Sequence, residues 1–155
     1  MKKRYLSLIC IITLMLTISG ITVRASEEMS VVDGSYLTHE EESEGIATLI
    51  MRGEDLQAGY SKVSKAATRV INAGGTTTAD HVVDEVGIAV VVERLKKGTS
   101  SWYYYTGWQM TKENASSVST SRRLSVAGGY YYRVRATHWA NSDASSSFTD
   151  GIYIE

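Results

Sequence analysis

The stretch Gly128-Gly129-Tyr130-Tyr131-Tyr132-Arg133-Val134-Arg135-Ala136-Thr137-His138-Trp139-Ala140 decides the fold. Aromatic and β-branched residues dominate it, and a glycine pair opens it. Its apolar residues recur with period 2, as a half-buried strand requires. Tyr130, Tyr132, Val134, Ala136 and His138 share one side and are predicted to face a core. Tyr131, Arg133, Arg135, Thr137 and Trp139 share the other and are predicted to face solvent or a partner.

The flanking segments extend the pattern. Val86, Ile88, Val90 and Val92 alternate through Asp84–Lys97. The run Val90-Val91-Val92 and Gly87 disfavour the competing helix, although Asp80 and Gly98 would suit its ends. Lys96 to Ser100 reads as a turn, and Ser101–Thr111 as the returning strand of a hairpin, with Tyr103, Tyr105, Gly107 and Gln109 on one side. Further strands are predicted at Ala67–Ala73, ending in a turn at Gly74-Gly75, at Arg122–Val126 and at Phe148–Ile154. Gly59–Lys65 and Glu113–Ser121 read as polar loops, the latter with a short edge strand near Val118. About seven short strands at this spacing predict an all-β fold, a single antiparallel β-sandwich of the immunoglobulin or fibronectin III type, over residues 59–155.

The N-terminal third reads differently. Lys2, Lys3 and Arg4 precede an apolar run from Leu6 to Leu16, and small residues close the segment at Val23-Arg24-Ala25. That order is a secretory signal peptide, residues 1–25, cleaved near Ala25. The apolar run is too short for a helix crossing about 30 Å of hydrocarbon. The expected product is extracellular, with no stable membrane anchor. Cys10 leaves with the leader, so the expected fold stands on its core without disulfides. Losing four basic residues leaves 12 against 17 acidic ones, a net charge of −5. Nine acids lie between Ser26 and Asp55 beside the single base Arg52. Residues 26–58 are therefore predicted to be a flexible acidic arm. The small basic excess of the remainder argues against nucleic acid as a partner.

Two resemblances enter here. Leu124-Ser-Val-Ala-Gly-Gly-Tyr130, with Ala136 six residues on, resembles the tyrosine corner of fibronectin type III domains, with Val126 where proline is usual. The resemblance implies that Leu124 and Tyr130 form a structural corner, the phenol bonding backbone upstream. The leader, Gly75-Thr-Thr-Thr-Ala79, Gly98-x-x-x-Trp102, Gly128–Arg135 with His138, and the last strand together resemble a family of small secreted proteins of Gram-positive bacteria known as a domain of unknown function. That family carries no assigned activity, so the likeness implies no catalytic residue.

Nucleophilic catalysis needs a nucleophile, a base and a group that orients the base. No Gly-x-Ser-x-Gly occurs, and the serines cluster in polar segments. Asp80-His81 with Asp84-Glu85 lacks a second histidine at ligand spacing, and Asn141-x-Asp143 is only a fragment of a calcium loop. No catalytic, cofactor or metal site is predicted. The aromatic load remains: nine of the thirteen aromatic residues beyond the leader lie in Trp102–Trp108 and Tyr130–Trp139. Tyr103, Tyr105, Tyr131, Arg133, Arg135 and Trp139 form the candidate partner-binding face, for a cell-wall glycan or another secreted or surface protein. The same residues suit a stacking ladder that serves stability alone. The expected function is a non-catalytic binding module. The alternatives are an antimicrobial or toxin-like protein and an extracellular hydrolase.

Overall fold

In the computed structural model the described residues are 33–47 and 53–155. They all belong to one unit, Val31–Glu155. The leader with its cleavage site, and residues 26–32 and 48–52, lie outside the described residues. Among those described there is no helix. Eight strands form one mixed sheet: β1 (Leu37–Thr38), β2 (Glu42–Ile46), β3 (Leu56–Ala67), β4 (Val70–Lys96), β5 (Trp102–Ser125), β6 (Tyr130–Ala140), β7 (Asp143–Phe148) and β8 (Gly151–Ile154). The order is β1-β8-β6-β4-β3-β2, with β5 beside β4 and β7 beside β6. Every pairing is antiparallel except β1 with β8, which is parallel.

The organising element is β4, 27 residues long. Its first part, Val70–Ala79, lies between β3 and β5. Its second, Val86–Lys96, lies between β6 and β5. The β4–β5 ladder breaks between Thr78 and Val83, and Asn114, next to the Ala115 that pairs with Val83, has φ 49°. There the sheet curls until its two halves face one another. Tyr105 and Ser125, both on β5, meet across the fold, the phenol donating to the Ser125 carbonyl at 2.8 Å. Trp108 Nε1 likewise donates to Thr120 Oγ1 at 3.0 Å. Gly59 of β3 lies so close to the His138 ring of β6 that an added Cβ would stand 2.3 Å from Cδ2. The space between the halves holds the core, with Val63, Ile71, Val86, Ile88, Val90, Val92, Tyr132, Val134, Ala136 and Ile152 all fully buried.

The predicted alternation of Tyr130–Ala140 holds from Tyr132 to Ala140. The Val86–Leu95 strand pairs with Trp102–Lys112 as expected, turning at Gly98 with φ 84°. Several expectations are corrected. The Gly74-Gly75 pair is not a turn. It continues β4, paired with β3 on one side and β5 on the other. Glycine suits it there because a Cβ at Gly74 would stand 2.1 Å from the Thr120 carbonyl oxygen, and one at Gly75 2.3 Å from that of Tyr60. The turn before β4 lies at Thr68-Arg69, with Arg69 at φ 55°. Gly59–Lys65 belongs to β3, and Glu113–Ser121 belongs to β5. The stretch predicted as an acidic arm contains β1, β2 and the first three residues of β3. Lys62 of β3 lies 3.0 Å from Glu42 and 2.7 Å from Glu44, which offsets the self-repulsion that predicted an unfolded arm. Lys65 does the same for Glu41.

The corner tyrosine is Tyr132 rather than Tyr130. Its hydroxyl donates to the Ala127 carbonyl at 2.9 Å while its ring is fully buried. Burial first, and Tyr105 next, raise its pKa, so it is a neutral donor at pH 7. Tyr130 stands half-buried beside it, 6.3 Å between ring centroids, under the Arg94 guanidinium. Leu124 packs at the margin of the core. Tyr132→Phe should therefore cost about 0.5–1.5 kcal/mol in a urea titration, by losing one hydrogen bond. Tyr130→Phe should move the midpoint by less than about 0.5 kcal/mol. The reverse ranking would return the corner to Tyr130.

Candidate functional site

The six residues of the predicted binding face do not form one open surface. Arg133 is held on three sides. Its Nη2 lies 2.8 Å from Glu93 Oε2, its Nη1 donates to the Gly34 carbonyl, and its guanidinium stacks 4.1 Å over the Trp102 ring. Only 16% of the Arg133 side chain and 13% of the Glu93 side chain remain exposed. Cross-strand pairing of β4 and β6 sets Glu93 opposite Arg133, which brings the charges together. Arg135, half exposed, also reaches Glu93, at 3.3 Å. Tyr131 is buried between His39 and Tyr153, its centroid 6.0 and 5.1 Å from theirs. The segment 33–39, assigned by sequence to the arm, thus covers the outer side of β6. Trp139 is half-buried and donates to Glu85 Oε1 at 2.7 Å.

Tyr105 lies on the core side, edge-on to Tyr132 with centroids 5.6 Å apart. A register shift causes this. Val92 pairs with Thr106 but Glu93 pairs with Tyr104, so Tyr105 is the extra residue of a bulge and alternation restarts there. Of the β5 candidates only Tyr103 is open, at 63% exposure. Tyr104, assigned inward by simple alternation, is 67% exposed, and Met110 is 42% exposed. Trp108 lies partly buried below the Arg122 guanidinium, 4.7 Å from its ring centroid. The open aromatic surface is therefore on β5. That strand pairs with β4 alone along its 24 residues, so its other edge carries no partner among the described strands. Reading Glu93 as the only acid in Val86–Leu95 would have flagged the ion pair. The bulge has no local sequence signal.

His138 is a packed residue of the core. Thr77 Oγ1 donates to the Gly87 carbonyl at 2.9 Å, which uses its one proton. His138 Nδ1–H therefore donates to Thr77 Oγ1 at 2.8 Å, and Nε2 accepts from the Ser147 hydroxyl at 2.8 Å. The imidazole is neutral and satisfied at both nitrogens, and burial pushes its pKa down to about 4.

Of the residues read above for metal ligation, His81, Asn141 and Asp143 meet at Asp55 at one end of the sheet, where they bind it or its backbone. Asp143 Oδ2 accepts the amides of Asp55 and Leu56 at 2.7 and 3.1 Å. Asn141 Nδ2 donates to Asp55 Oδ2 at 2.9 Å, and His81 Nε2 lies 3.2 Å from Asp55 Oδ1. Among the described residues no group of three or more His, Cys, Asp or Glu is arranged to hold a metal ion. A shallow groove of about 430 Å³ crosses the other outer surface of the sheet, lined by small polar residues including Ser64, Asn72, Thr76, Ser119 and Ser121. Lys62, its charged lining residue, is already held between two glutamates.

No protein-family model matches the chain, and no curated protein matches it.

Two outcomes follow from this geometry. Arg133→Ala should cost about 2–3 kcal/mol in chemical denaturation, somewhat less than the ~3–5 kcal/mol for breaking a fully buried pair. Arg135→Ala should cost less than about 1 kcal/mol. Equal effects would mean that Arg133 stands as open as Arg135. For His138, the folded value near 4 lies below the unfolded value of about 6.5. Its stabilising contribution is complete above pH 6.5 and falls as pH drops, because the unfolded chain takes up the proton first. Between pH 7 and 5 this amounts to about 2 kcal/mol, read from urea midpoints. His138→Gln should lower stability at pH 7 and flatten that slope; a slope unchanged by the substitution would show that His138 does not carry it.

Proposed function

We propose that the protein is a secreted interaction module that docks an extended partner along β5. The observation that carries this reading is the open edge of a 24-residue strand with Tyr103, Tyr104 and Met110 exposed on it. An unpaired strand edge offers a row of backbone donors and acceptors to a chain that adds to the sheet. Exposed tyrosines supply rigid contact area at small entropic cost. Lys112, Glu113, Arg122 and Arg123 keep such an edge soluble while it waits for a partner.

The leader, read as a signal peptide, puts the module outside the cell, where the likeness to secreted Gram-positive proteins would also put it. The partner is then a cell-wall component or another surface protein. The curled sheet is, in this reading, a β-sandwich variant whose two layers share β4 and β5. Its core-facing packing of Gly59 against His138 supports that description.

The test is capture from cell-wall and secreted fractions by the immobilised protein. Tyr103→Ser with Tyr104→Ser should remove at least about nine-tenths of the captured partner, the loss expected when two anchor residues worth over 1 kcal/mol each are truncated. Circular dichroism and the urea midpoint should stay unchanged, since both side chains are exposed. Capture that survives the double substitution would remove β5 from the reading.

A further inference from the structure

One half of the sheet runs β2-β3-β4-β5, and both of its outer strands pair on one side only among the described strands. Successive strands here are antiparallel, so β2 and β5 run in opposite directions. A second copy shifted within the sheet plane would therefore bring its β2 beside β5 in the antiparallel sense. The register rows cross all four strands. One row reads Glu42, Ser64, Asn72, Arg123; the next outward row reads Glu44, Lys62, Gly74, Ser121. Each row holds side chains of one face. The first thus ends in a carboxylate at the β2 edge and a guanidinium at the β5 edge.

The charges at these edges are unbalanced. Glu42 and Glu44 share the single ammonium of Lys62, which leaves the β2 edge negative. Their side chains remain 56% and 62% exposed. Arg123 is exposed, and among the described residues no carboxylate lies within 4.0 Å of it. Two like edges meeting would oppose Glu to Glu or Arg to Arg. Unlike edges set opposite charges directly across a strand pair on the same face, the arrangement that stabilises a ladder.

We propose that the chain self-associates head to tail, with β2 of one copy adding to the C-terminal half of β5 of the next and Arg123 standing opposite Glu42. The inference rests on β5 as a docking strand but places a second copy of the chain on its C-terminal half, away from Tyr103 and Tyr104. The contact is heterologous, so it leaves a free edge on each copy and extends from copy to copy instead of closing as a dimer. A five-residue strand makes a small interface, so association is concentration-dependent and weakened by salt.

Sedimentation velocity on the purified protein tests this from micromolar to millimolar concentration. The wild type should show a weight-average sedimentation coefficient that rises with concentration and falls back in 1 M NaCl. Glu42→Arg alone and Arg123→Glu alone should each abolish the rise, since each opposes like charges. An equimolar mixture of the two variants should restore it, because each then presents the edge the other lacks. The chain carrying both substitutions should also self-associate. A wild type with a constant sedimentation coefficient, or a mixture that stays monomeric, overturns the proposal. Tyr103→Ser with Tyr104→Ser should lose partner capture yet still self-associate. Capture without association would overturn only the head-to-tail contact, and association without capture only the docking of a foreign partner.

Discussion

One hydrogen-bonded side chain ties the two halves of the curled sheet together across the core. His138 on β6 donates to Thr77 on β4 and accepts from Ser147 on β7, while Thr77 in turn donates to the Gly87 carbonyl. Thr77 lies in the first part of β4 and Gly87 in the second, so this chain of bonds ties the two halves of one strand across the core. Gly59 of β3 then rests directly on the ring. A polar ring in an apolar core is tolerable only with both nitrogens paired, since an unmet buried group costs more than a made bond contributes. The network therefore admits one tautomer and one spacing of the halves.

A second constraint acts on the outer side of β6. Glu93 and Arg133 are set opposite each other by register, and both are largely removed from water. A pair so placed needs its remaining donors satisfied, which the Gly34 carbonyl does for Arg133. The segment 33–39 is drawn down as a result, and β1 adds in parallel to β8 beside it. The acidic stretch that composition alone marks as a solvated arm is thus structural where it meets basic residues: Arg133 on one side, Lys62 and Lys65 on the other.

The molecule closes one side and leaves another open. β7, β8, β1 and the residues before them surround β6, whereas among the described strands β5 pairs with β4 alone. An edge this long is a hazard for uncontrolled pairing, and its charges limit that hazard. The same charges are segregated, acidic on β2 and basic on the C-terminal half of β5. That distribution discriminates between like and unlike edges, which a uniformly charged pair of edges could not do.

Local period and turn chemistry determined much of this from sequence alone. Tyr132, Val134, Ala136 and His138 face the core because a strand presents alternate residues to one side, and that rule needs no knowledge of the partner strand. The hairpin through Gly98 and the choice of strand over helix at Val86–Val92 were legible for the same reason. Tertiary structure decided what depends on neighbours distant in sequence. Gly74-Gly75 reads as a turn locally, yet pairing with β3 on one side and β5 on the other keeps it extended. The bulge at Tyr105 reverses the faces of Tyr104 and Tyr105, and it arises from the match between β4 and β5, which no single strand encodes. The corner fell to Tyr132 because the position of the Ala127 carbonyl after the chain reverses selects which phenol can reach it. Glu42 and Glu44 repel in isolation and become a strand only because β3 brings Lys62 between them, a contact that exists after folding and not before.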